Sequence, residues 1–462
     1  MQYETKTLWQ QDKDHFVHPF TDFSEFHDSG CDIIARSEGA HVYDAKDNKY
    51  LDGIAGLWCV NVGHGRAEIG QAMAEQATKM AYYSPFNNLS NIPAIELSAK
   101  LAELAPANLN HVFYSCGGSV ANDTAIRIVH FYFNQLGKKS KKKIISRHSG
   151  YHGTTYLSST LTGTKGNNEG FDIVDNLVTH ISEANCYRMP DGMNEEDYCD
   201  YLVKDFEKNL EDMGGSDHVA AFIAEPIMGA GGVLVAPEGY HKRIFDLCKA
   251  NEILFISDEV VTAFGRLGHF FASESVYGIQ PDIIICAKGL TSGYIPLGAT
   301  LLSDDIYDVI KKPQAKGAVF STGFTYSGHP VACAVALKNI EIMEREKICE
   351  NVQDVGPYLE QQLKTLMDLP IVGDVRGSHF MMCIESVADK KTKELIPYEA
   401  NVGKRIAEHC QHLGLIVRPI AHLNILSPPL IWTRDTVDQV VKILRAAILS
   451  TVEDLKTENF FR

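Results

Sequence analysis

The middle of the chain alternates short apolar runs with amphipathic helical patterns. Five apolar, β-branched runs predict strands, at 111–114, 143–146, 220–224, 253–257 and 282–286. Several are apolar throughout, which is typical of strands covered on both faces. The apolar residues of the helical pattern after the first strand share one face; they are Ala121, Ala125, Ile128, Val129 and Tyr132. The alternation predicts an α/β fold, with a mostly parallel sheet between layers of helices.

The pattern changes near residue 326. A long helical pattern at 331–345 leads into shorter strands and helices. The last helix is amphipathic, and the apolar residues on one face are Val437, Val440, Val441, Leu444 and Ile448. A chain of 462 residues is also longer than the roughly 250–300 residues at which single domains split. We therefore expect a large domain at 61–325 and a smaller domain at 326–462, which the segment 1–60 joins.

Composition excludes several classes of partner. The formal net charge of −16 argues against nucleic acid and anionic membranes, because both favour a basic surface. No apolar run approaches the ~20 residues of a membrane span, and residues 1–18 lack the apolar core of a secretory signal. Eleven cysteines without a C-x-x-C pair are typical of free thiols in a reducing compartment. We expect a cytoplasmic protein without a bound metal.

The first predicted strand runs into a glycine-rich turn, SCGGS at 115–119, and then a helix. Ligands of open α/β sheets bind beyond the carboxyl ends of the strands. Glycines let backbone N–H groups approach a ligand there, and a helix start attracts anions. Ser119 is also a candidate N-cap. The turn therefore predicts either a phosphate cup or a capped connection, and the pattern alone does not separate the two.

The other predicted strands also end in residues that could bind or react with a ligand at the same edge of the sheet. The second leads to Tyr151, an aromatic residue between glycines that could stack on a planar ring. The same glycines disfavour a helix, and therefore also a metal site on His148 and His152. The remaining strands end in Glu225, Asp258 and Lys288. Desolvation lowers a lysine's pKa, as imine formation requires. A carboxylate beside a pyridine nitrogen keeps the ring protonated. Together these are the parts of a pyridoxal-phosphate site.

At these residues the chain resembles the class III, or ω-type, aminotransferases, which are fold-type-I pyridoxal-phosphate enzymes. The most specific motifs are DEVVTAFGRLGHFFASE at 258–274 and DIIICAKGLTSGYIPLGA at 282–299. The resemblance runs from 43–45 through 418–419 to 428–430. It implies a large domain with a mostly parallel seven-stranded sheet, a smaller α+β domain, and transamination by a two-step exchange on pyridoxal 5'-phosphate.

The resemblance also implies roles around the cofactor ring. Lys288 is then the Schiff-base lysine, and Asp258 pairs with the pyridine nitrogen. Tyr151 stacks on one face of the ring and Val260 packs on the other. Glu225 supports the ring on the side where its oxygen substituent and Asp258 lie.

At the phosphate, the resemblance implies two sources of contacts. Gly118 and Ser119 hold the phosphate from their own chain. In the segment 323–330, Thr325 reaches the phosphate of the neighbouring subunit. The active unit is then a homodimer with shared sites, or a tetramer built from such dimers.

For the substrate, the resemblance implies an apolar wall made of Leu57, Trp58, Phe86, Tyr151 and Ala230. Arg418 is then the partner of the keto-acid carboxylate. From the pattern alone, core packing for Trp58 and a surface ion pair for Arg418 are equally open.

Two positions depart from the commonest family pattern, Val120 and Met228. The run Ser378-His379-Phe380 is also unusual, and we assign it no role. Met228 makes the stretch 225–232 similar to the pyruvate-using amine transaminases. The amine donor stays open among diamines such as putrescine, β-alanine, taurine and aromatic amines. An aminomutase or a decarboxylating relative shares the same lysine and aspartate, and a non-catalytic ligand-binding α/β protein is the alternative from another class.

Overall fold

The computed structural model describes residues 4–164, 166–314 and 318–461. In chain order the strands are β1 (Ile34–Glu38), β2 (His41–Asp44), β3 (Lys49–Asp52), β4 (His111–Ser115), β5 (Lys143–Arg147), β6 (Val178–Ile181), β7 (Val219–Ala224), β8 (Ile227–Met228), β9 (Leu234–Val235), β10 (Leu254–Asp258), β11 (Ile283–Cys286), β12 (Gly298–Leu302), β13 (Val372–Ser378), β14 (Met381–Ser386), β15 (Leu415–Ile416), β16 (Arg418–Ile420) and β17 (Leu423–Leu426).

The helices are α1 (Thr5–His15), α2 (Phe23–Ser29), α3 (Ala55–Trp58), α4 (Ala67–Met80), α5 (Ile92–Leu104), α6 (Gly118–Gln135), α7 (Tyr156–Leu161), α8 (Glu195–Asp212), α9 (Tyr240–Ala250), α10 (Ala272–Ser275), α11 (Asp304–Ile310), α12 (Pro330–Arg345), α13 (Ile348–Lys364), α14 (Val402–His412) and α15 (Arg434–Thr457). Short 3-10 turns lie at Cys186–Arg188, Lys288–Leu290, Thr365–Asp368 and Tyr398–Ala400.

The central sheet has seven strands in the order β4-β12-β11-β10-β7-β5-β6. Strand β10 pairs in parallel with β11 and β7, and β5 pairs in parallel with β7 and β6. Only β12 among the seven runs antiparallel to its neighbours, β11 and β4. The prediction of a mostly parallel sheet is confirmed, and the five predicted strands agree with the observed ones to within one residue at each end.

Sequence patterns missed two strands of this sheet. β12 reads GATLL, and its small leading residues have little β propensity. β6 is a four-residue edge strand that is buried only at its last position. Both form because a neighbouring strand offers unpaired backbone groups, which is information that their own residues do not carry.

Helices cover both faces of the sheet. On one face α6 packs on β4, β11 and β12, and the predicted apolar face of the helix is buried except at Tyr132, which is partly buried. On the other face α8 and α9 cover Phe222 and Phe255 with Phe206, Tyr240 and Ile244. Each large apolar side chain removed from water in this way contributes about 1.5–3 kcal/mol. The two layers hold the strand ends at fixed positions.

A separate four-stranded sheet of order β13-β14-β17-β16 lies in the last third of the chain. The apolar face of α15 is buried as predicted. The N-terminal strands β1–β3 form a third sheet with β15, in which Leu415 pairs with Leu51. On this pairing we propose that residues 1–60 belong with the smaller domain, with boundaries near 61 and 326. No helix within the described ranges is long and apolar enough to cross a membrane.

Candidate active site

The carboxyl ends of β4, β5, β7, β10 and β11 lie at one edge of the central sheet, because these five strands point in the same direction. That edge collects the turn at 115–119 with Tyr151, Glu225, Asp258 and Lys288. The sheet thus brings together the residues that the strand ends predict.

Lys288 follows β11 and begins the 3-10 turn Lys288–Leu290. Its φ of 42° lies in the left-handed region, which is unfavourable for a side chain with a β-carbon. Among the described residues no hydrogen bond or ion pair engages its amine. Burial lowers the pKa of Lys288, while the charges of Asp258 and Glu225 oppose this shift. The site therefore favours the neutral, nucleophilic amine.

Asp258 ends β10 and is buried. Its Oδ2 accepts a hydrogen bond from Asn122 Nδ2 at 2.9 Å and lies 2.8 Å from His152 Nδ1. The backbone N–H of Val260 donates to Oδ1 at 3.1 Å. Because a carboxylate can only accept, His152 donates from Nδ1. These contacts fix the orientation of the carboxylate.

Sequence reasoning missed His152 and Asn122. The sequence pattern disfavoured a metal pair of His148 and His152 and suggested no other role for His152. In the structure the ring of His148 lies 5.7 Å from that of His180, centroid to centroid. No group of three His, Cys, Asp or Glu in the part of the chain that the structure describes could hold a metal. The available signals were a histidine directly after Tyr151 and an asparagine near the start of α6, both at the ligand edge of the sheet.

Glu225 is buried and both of its carboxylate oxygens are occupied. Oε1 accepts from the backbone N–H of Tyr151, and Oε2 accepts from that of Gly229, each at 2.9 Å. Burial raises the pKa of Glu225, and the nearby His152 opposes the shift. The residue therefore ties the loop that carries Tyr151 to the loop at 229–232.

Gly118 lies against two residues from other strand ends. A β-carbon at Gly118 would stand 3.1 Å from Val260 Cγ2 and 3.8 Å from Ala287 Cβ. The glycine turn, the second position after Asp258 and the position before Lys288 are thus packed together. The N-terminus of α6, with its free N–H groups, forms one end of the site.

The prediction that Ser119 caps α6 is wrong. The helix begins at Gly118, its N-cap is Gly117, and no side chain caps it. Ser119 lies in the first turn, where its hydroxyl accepts the backbone N–H of Thr154 at 3.3 Å. A β-carbon at Gly153 would come within 2.3 Å of that hydroxyl, so this close approach needs a glycine. The uncapped helix start leaves its N–H groups available to an anion.

Arg418 lies on β16, in the smaller sheet, and is half-buried. Burial lowers the pKa of its guanidinium, and the neighbouring Tyr151 opposes the shift. No carboxylate of the described ranges pairs with it. A guanidinium in such a position can form a bidentate pair with a carboxylate.

A further aromatic residue, which sequence patterns did not single out, lies over Tyr151. The ring centroid of Phe20 is 6.4 Å from that of Tyr151, and Phe20 is 73% exposed. Its φ of 51° places it in the left-handed region, within the connection between α1 and α2. The N-terminal segment therefore contributes an aromatic side chain to the edge of the site.

Part of the predicted apolar wall comes together in one chain. Trp58 is buried, and a β-carbon at Gly229 would lie 3.8 Å from Trp58 Cη2. Ala230 follows Gly229 on the loop that Glu225 ties to Tyr151. Leu57, beside Trp58, is 52% exposed.

Phe86 and Thr325 do not join this group within one chain. Phe86 lines a separate cavity of about 960 Å³, which lies between α5, α6 and the segment 319–324 and has neither Trp58 nor Tyr151 in its wall. Thr325 is exposed, and its carbonyl accepts the hydroxyl of Tyr82. A β-carbon at Gly323 would lie 3.2 Å from Phe86. Phe86 and Thr325 therefore share one face of the chain.

Comparison with known proteins extends over nearly the whole chain. The family "Aminotransferase class-III" matches residues 27–448. The putrescine–pyruvate aminotransferase of Pseudomonas aeruginosa is 41% identical over 445 residues, 96% of each chain. A mitochondrial gamma aminobutyrate transaminase of Solanum lycopersicum is 39% identical, over 95% of this chain and 86% of that one.

Solved structures of omega-transaminases are also similar to this chain. An (S)-enantioselective omega-transaminase from Thermomicrobium roseum superposes with a TM-score of 0.94 at 40% identity, over 98% of this chain and all of the other. The omega transaminase of Pseudomonas jessenii in complex with PMP gives a TM-score of 0.94 at 37% identity, over 97% and 99% of the two chains.

Proposed function

Because the chain belongs to the class III aminotransferase family, we propose that it transfers the amino group of a small amine to pyruvate. It is a pyridoxal-phosphate-dependent transaminase whose substrates are an amine and a keto acid. The observation that carries the choice of a keto acid is Arg418, a half-buried guanidinium that faces Tyr151 without a carboxylate partner.

The residues at the sheet edge fit the cofactor. The amine with a lowered pKa can react with the aldehyde of the cofactor. The oriented carboxylate can pair with its ring nitrogen, and the uncapped helix start can bind its phosphate. Gly118 and Ser119 would hold the phosphate, Asp258 the ring nitrogen, and Lys288 the aldehyde carbon. Tyr151 and Val260 would cover the two ring faces. Glu225 would act through the backbone, by holding Tyr151 in place.

When bound, the cofactor carries the amino group between the two substrates and withdraws electrons from the reacting carbon. Lys288 would move a proton at the reacting carbon of the substrate, since a neutral amine can accept the proton and the ammonium can return it. Asp258, oriented by His152 and Asn122, keeps the positive charge on the ring nitrogen. Arg418 orients the keto acid by its carboxylate, and Trp58 excludes water from the donor's side.

For the donor we propose an amine with an uncharged chain next to the reacting carbon. The buried ring of Trp58 beside Gly229 offers only apolar contacts on that side. The similar Pseudomonas protein is named for putrescine and pyruvate, which agrees with this chemistry. Alanine formation from pyruvate should therefore be measured with putrescine, β-alanine, γ-aminobutyrate, taurine and 1-phenylethylamine. If the enzyme turns over only with a keto acid other than pyruvate, the proposed acceptor is wrong.

Arg418→Ala should raise the KM for pyruvate and leave the KM for putrescine nearly unchanged. A charge-assisted pair with a carboxylate contributes about 1.5–3 kcal/mol, which corresponds to roughly a ten- to a hundredfold change. Steady-state kinetics with each substrate varied in turn measure the effect, and Arg418→Lys, which keeps the charge, should recover part of it. Equal changes in both KM values would show that Arg418 is structural.

We also propose that the enzyme works as a homodimer with shared sites. Around the face that holds Phe86 and Thr325, many large apolar side chains are exposed; they are Tyr83, Phe86, Leu89, Ile92, Ile95, Val319 and Tyr326. An apolar face of this kind is typical of a protein interface. A second copy seated there would receive Thr325 at its phosphate and Phe86 in its wall, which is the arrangement that the single chain leaves incomplete.

Thr325→Ala should weaken cofactor affinity without affecting Lys288 in its own chain. The sharper test mixes Lys288→Ala subunits with Thr325→Ala subunits. In a mixed dimer one site combines Lys288 with an intact Thr325 from the other chain, and the second site lacks both. Tight cofactor binding, measured by equilibrium dialysis, should return at one site per dimer. No recovery after confirmed subunit exchange would place Thr325 in its own chain's site.

A further inference from the structure

Two buried asparagines, Asn339 and Asn61, contact the turn that carries Lys288. Gly289 and Leu290 complete the 3-10 turn, and both are buried. Lys288 itself is in the left-handed region, with φ at 42°. Such a conformation persists only where the surroundings hold it in place. The contacts of the two residues that follow show what holds it.

Asn339 makes the contact from the side of α12. Its Nδ2 donates to the carbonyl of Gly289 at 2.9 Å and to that of Leu290 at 3.1 Å. The side chain is fully buried, and its Oδ1 has no partner among the described residues. The helix around it is apolar, with Ala336 and Ile340 in the core. An amide in such a place costs stability, so its use lies in the two carbonyls that it binds.

Asn61 lies directly against the same turn, at Gly289. A β-carbon at Gly289 would lie 2.4 Å from Asn61 Nδ2, so the two are already in close contact. Asn61 is itself fixed, since its Nδ2 donates to the carbonyl of Phe264 at 2.6 Å and its Oδ1 accepts from Arg266 Nη2 at 2.8 Å. The fixed Asn61 side chain therefore also limits the movement of the turn at Gly289.

We propose that Asn339 is a positioning residue of the transaminase, which fixes Lys288 in its left-handed conformation through the carbonyls of Gly289 and Leu290. The amine is thereby kept out of bulk water and on the side of Asp258 and Glu225. The proposal rests on the proposed function to the extent that Lys288 is the residue that binds the cofactor.

A positioning role has a consequence for the Lys288 amine that a purely structural role lacks. Burial is the main cause that lowers its pKa, and the other groups that face it are Asp258, Glu225, Cys59 and Arg418. Without the Asn339 amide the turn can relax and admit water to the amine. Two unpaired carbonyl oxygens nearby also favour the ammonium. Both changes act in the same direction and raise the pKa of Lys288.

The test compares Asn339→Leu, which keeps the branched shape of the side chain but removes its hydrogen-bonding groups, with Asn351→Leu. Asn351 is a matched control, because its Nδ2 also donates to two backbone carbonyls, those of Leu430 at 2.7 Å and Trp432 at 3.1 Å. Competitive acetylation of the full-length, cofactor-free protein across a pH series, read by mass spectrometry of the Lys288 peptide, gives the pKa of the amine. Thermal unfolding and kcat are measured in parallel.

Asn339→Leu should raise the Lys288 pKa by about one pH unit and lower kcat roughly tenfold, while Asn351→Leu should change only the unfolding temperature. If Asn339→Leu does not fold, Asn339→Asp preserves the volume and, when ionised, offers no donor and should raise the pKa as well. An unchanged Lys288 pKa in folded Asn339 variants overturns the proposal. Borohydride reduction of the wild-type holoenzyme separately shows whether Lys288 carries the cofactor, so failure of the proposed function is recognised independently.

Discussion

Lys288→Ala should abolish transamination while the protein stays folded. The amine both binds the cofactor covalently and moves the proton at the reacting carbon, and alanine can do neither. Loss of the proton transfer alone costs up to about 10⁴-fold in rate. Alanine production from pyruvate and an amine should therefore fall to background, as measured by liquid chromatography of the products.

Two further variants distinguish the loss of the reactive amine from the loss of a positive charge and from the loss of a buried lysine. Lys288→Arg keeps the positive charge but should be equally inactive, because a guanidinium stays protonated. Lys141 is also buried, with its amine 2.7 Å from the carbonyl of Ser216, and it lies outside the site. Lys141→Ala should reduce stability and keep turnover. Near wild-type activity in Lys288→Ala would remove the assignment of the catalytic lysine.

Asp258→Asn should lower kcat by roughly 10²- to 10³-fold, or about 3–4 kcal/mol of transition-state stabilisation. A neutral amide cannot stabilise the positive charge on the ring nitrogen. The new amide would also turn a donor toward Asn122 or His152, which both donate to the carboxylate now. The loss should therefore appear in the chemical step, measured by single-turnover absorbance after the addition of an amine.

A buried aspartate at the other end of the sheet provides the control for Asp258→Asn. Asp282 accepts the backbone N–H of Phe255 at 2.8 Å and pairs with Lys249. Asp282→Asn should lower stability by a comparable packing and charge effect and leave the chemical step unchanged. Normal single-turnover rates in Asp258→Asn would assign the charge of the ring nitrogen to another residue.

The sequence predicted the parts of the site that follow directly from strands. An apolar run marks a strand, parallel strands share a carboxyl edge, and so Glu225, Asp258 and Lys288 could be placed together from local patterns alone. The same reasoning did not extend to β12, whose pairing with β4 depends on a partner far away in the chain.

Residues that act through long-range contacts were not predictable in this way. His152 and Asn122 reach Asp258 from two other segments, and Asn339 reaches the Lys288 turn from α12. Phe20 lies at the site because of a left-handed backbone angle in a connection. In each case the residue type is compatible with ordinary packing or solvation, and only the fold shows which atoms it meets.

The most direct test of the proposed reaction follows the cofactor absorbance of the purified enzyme through one cycle. The holoenzyme should show a band at about 410–420 nm. Putrescine added without a keto acid should remove the band, and pyruvate should restore it with one alanine formed per site. A band that putrescine and the other amines leave unchanged, or that pyruvate does not restore, would contradict the transfer of an amino group from an amine to pyruvate.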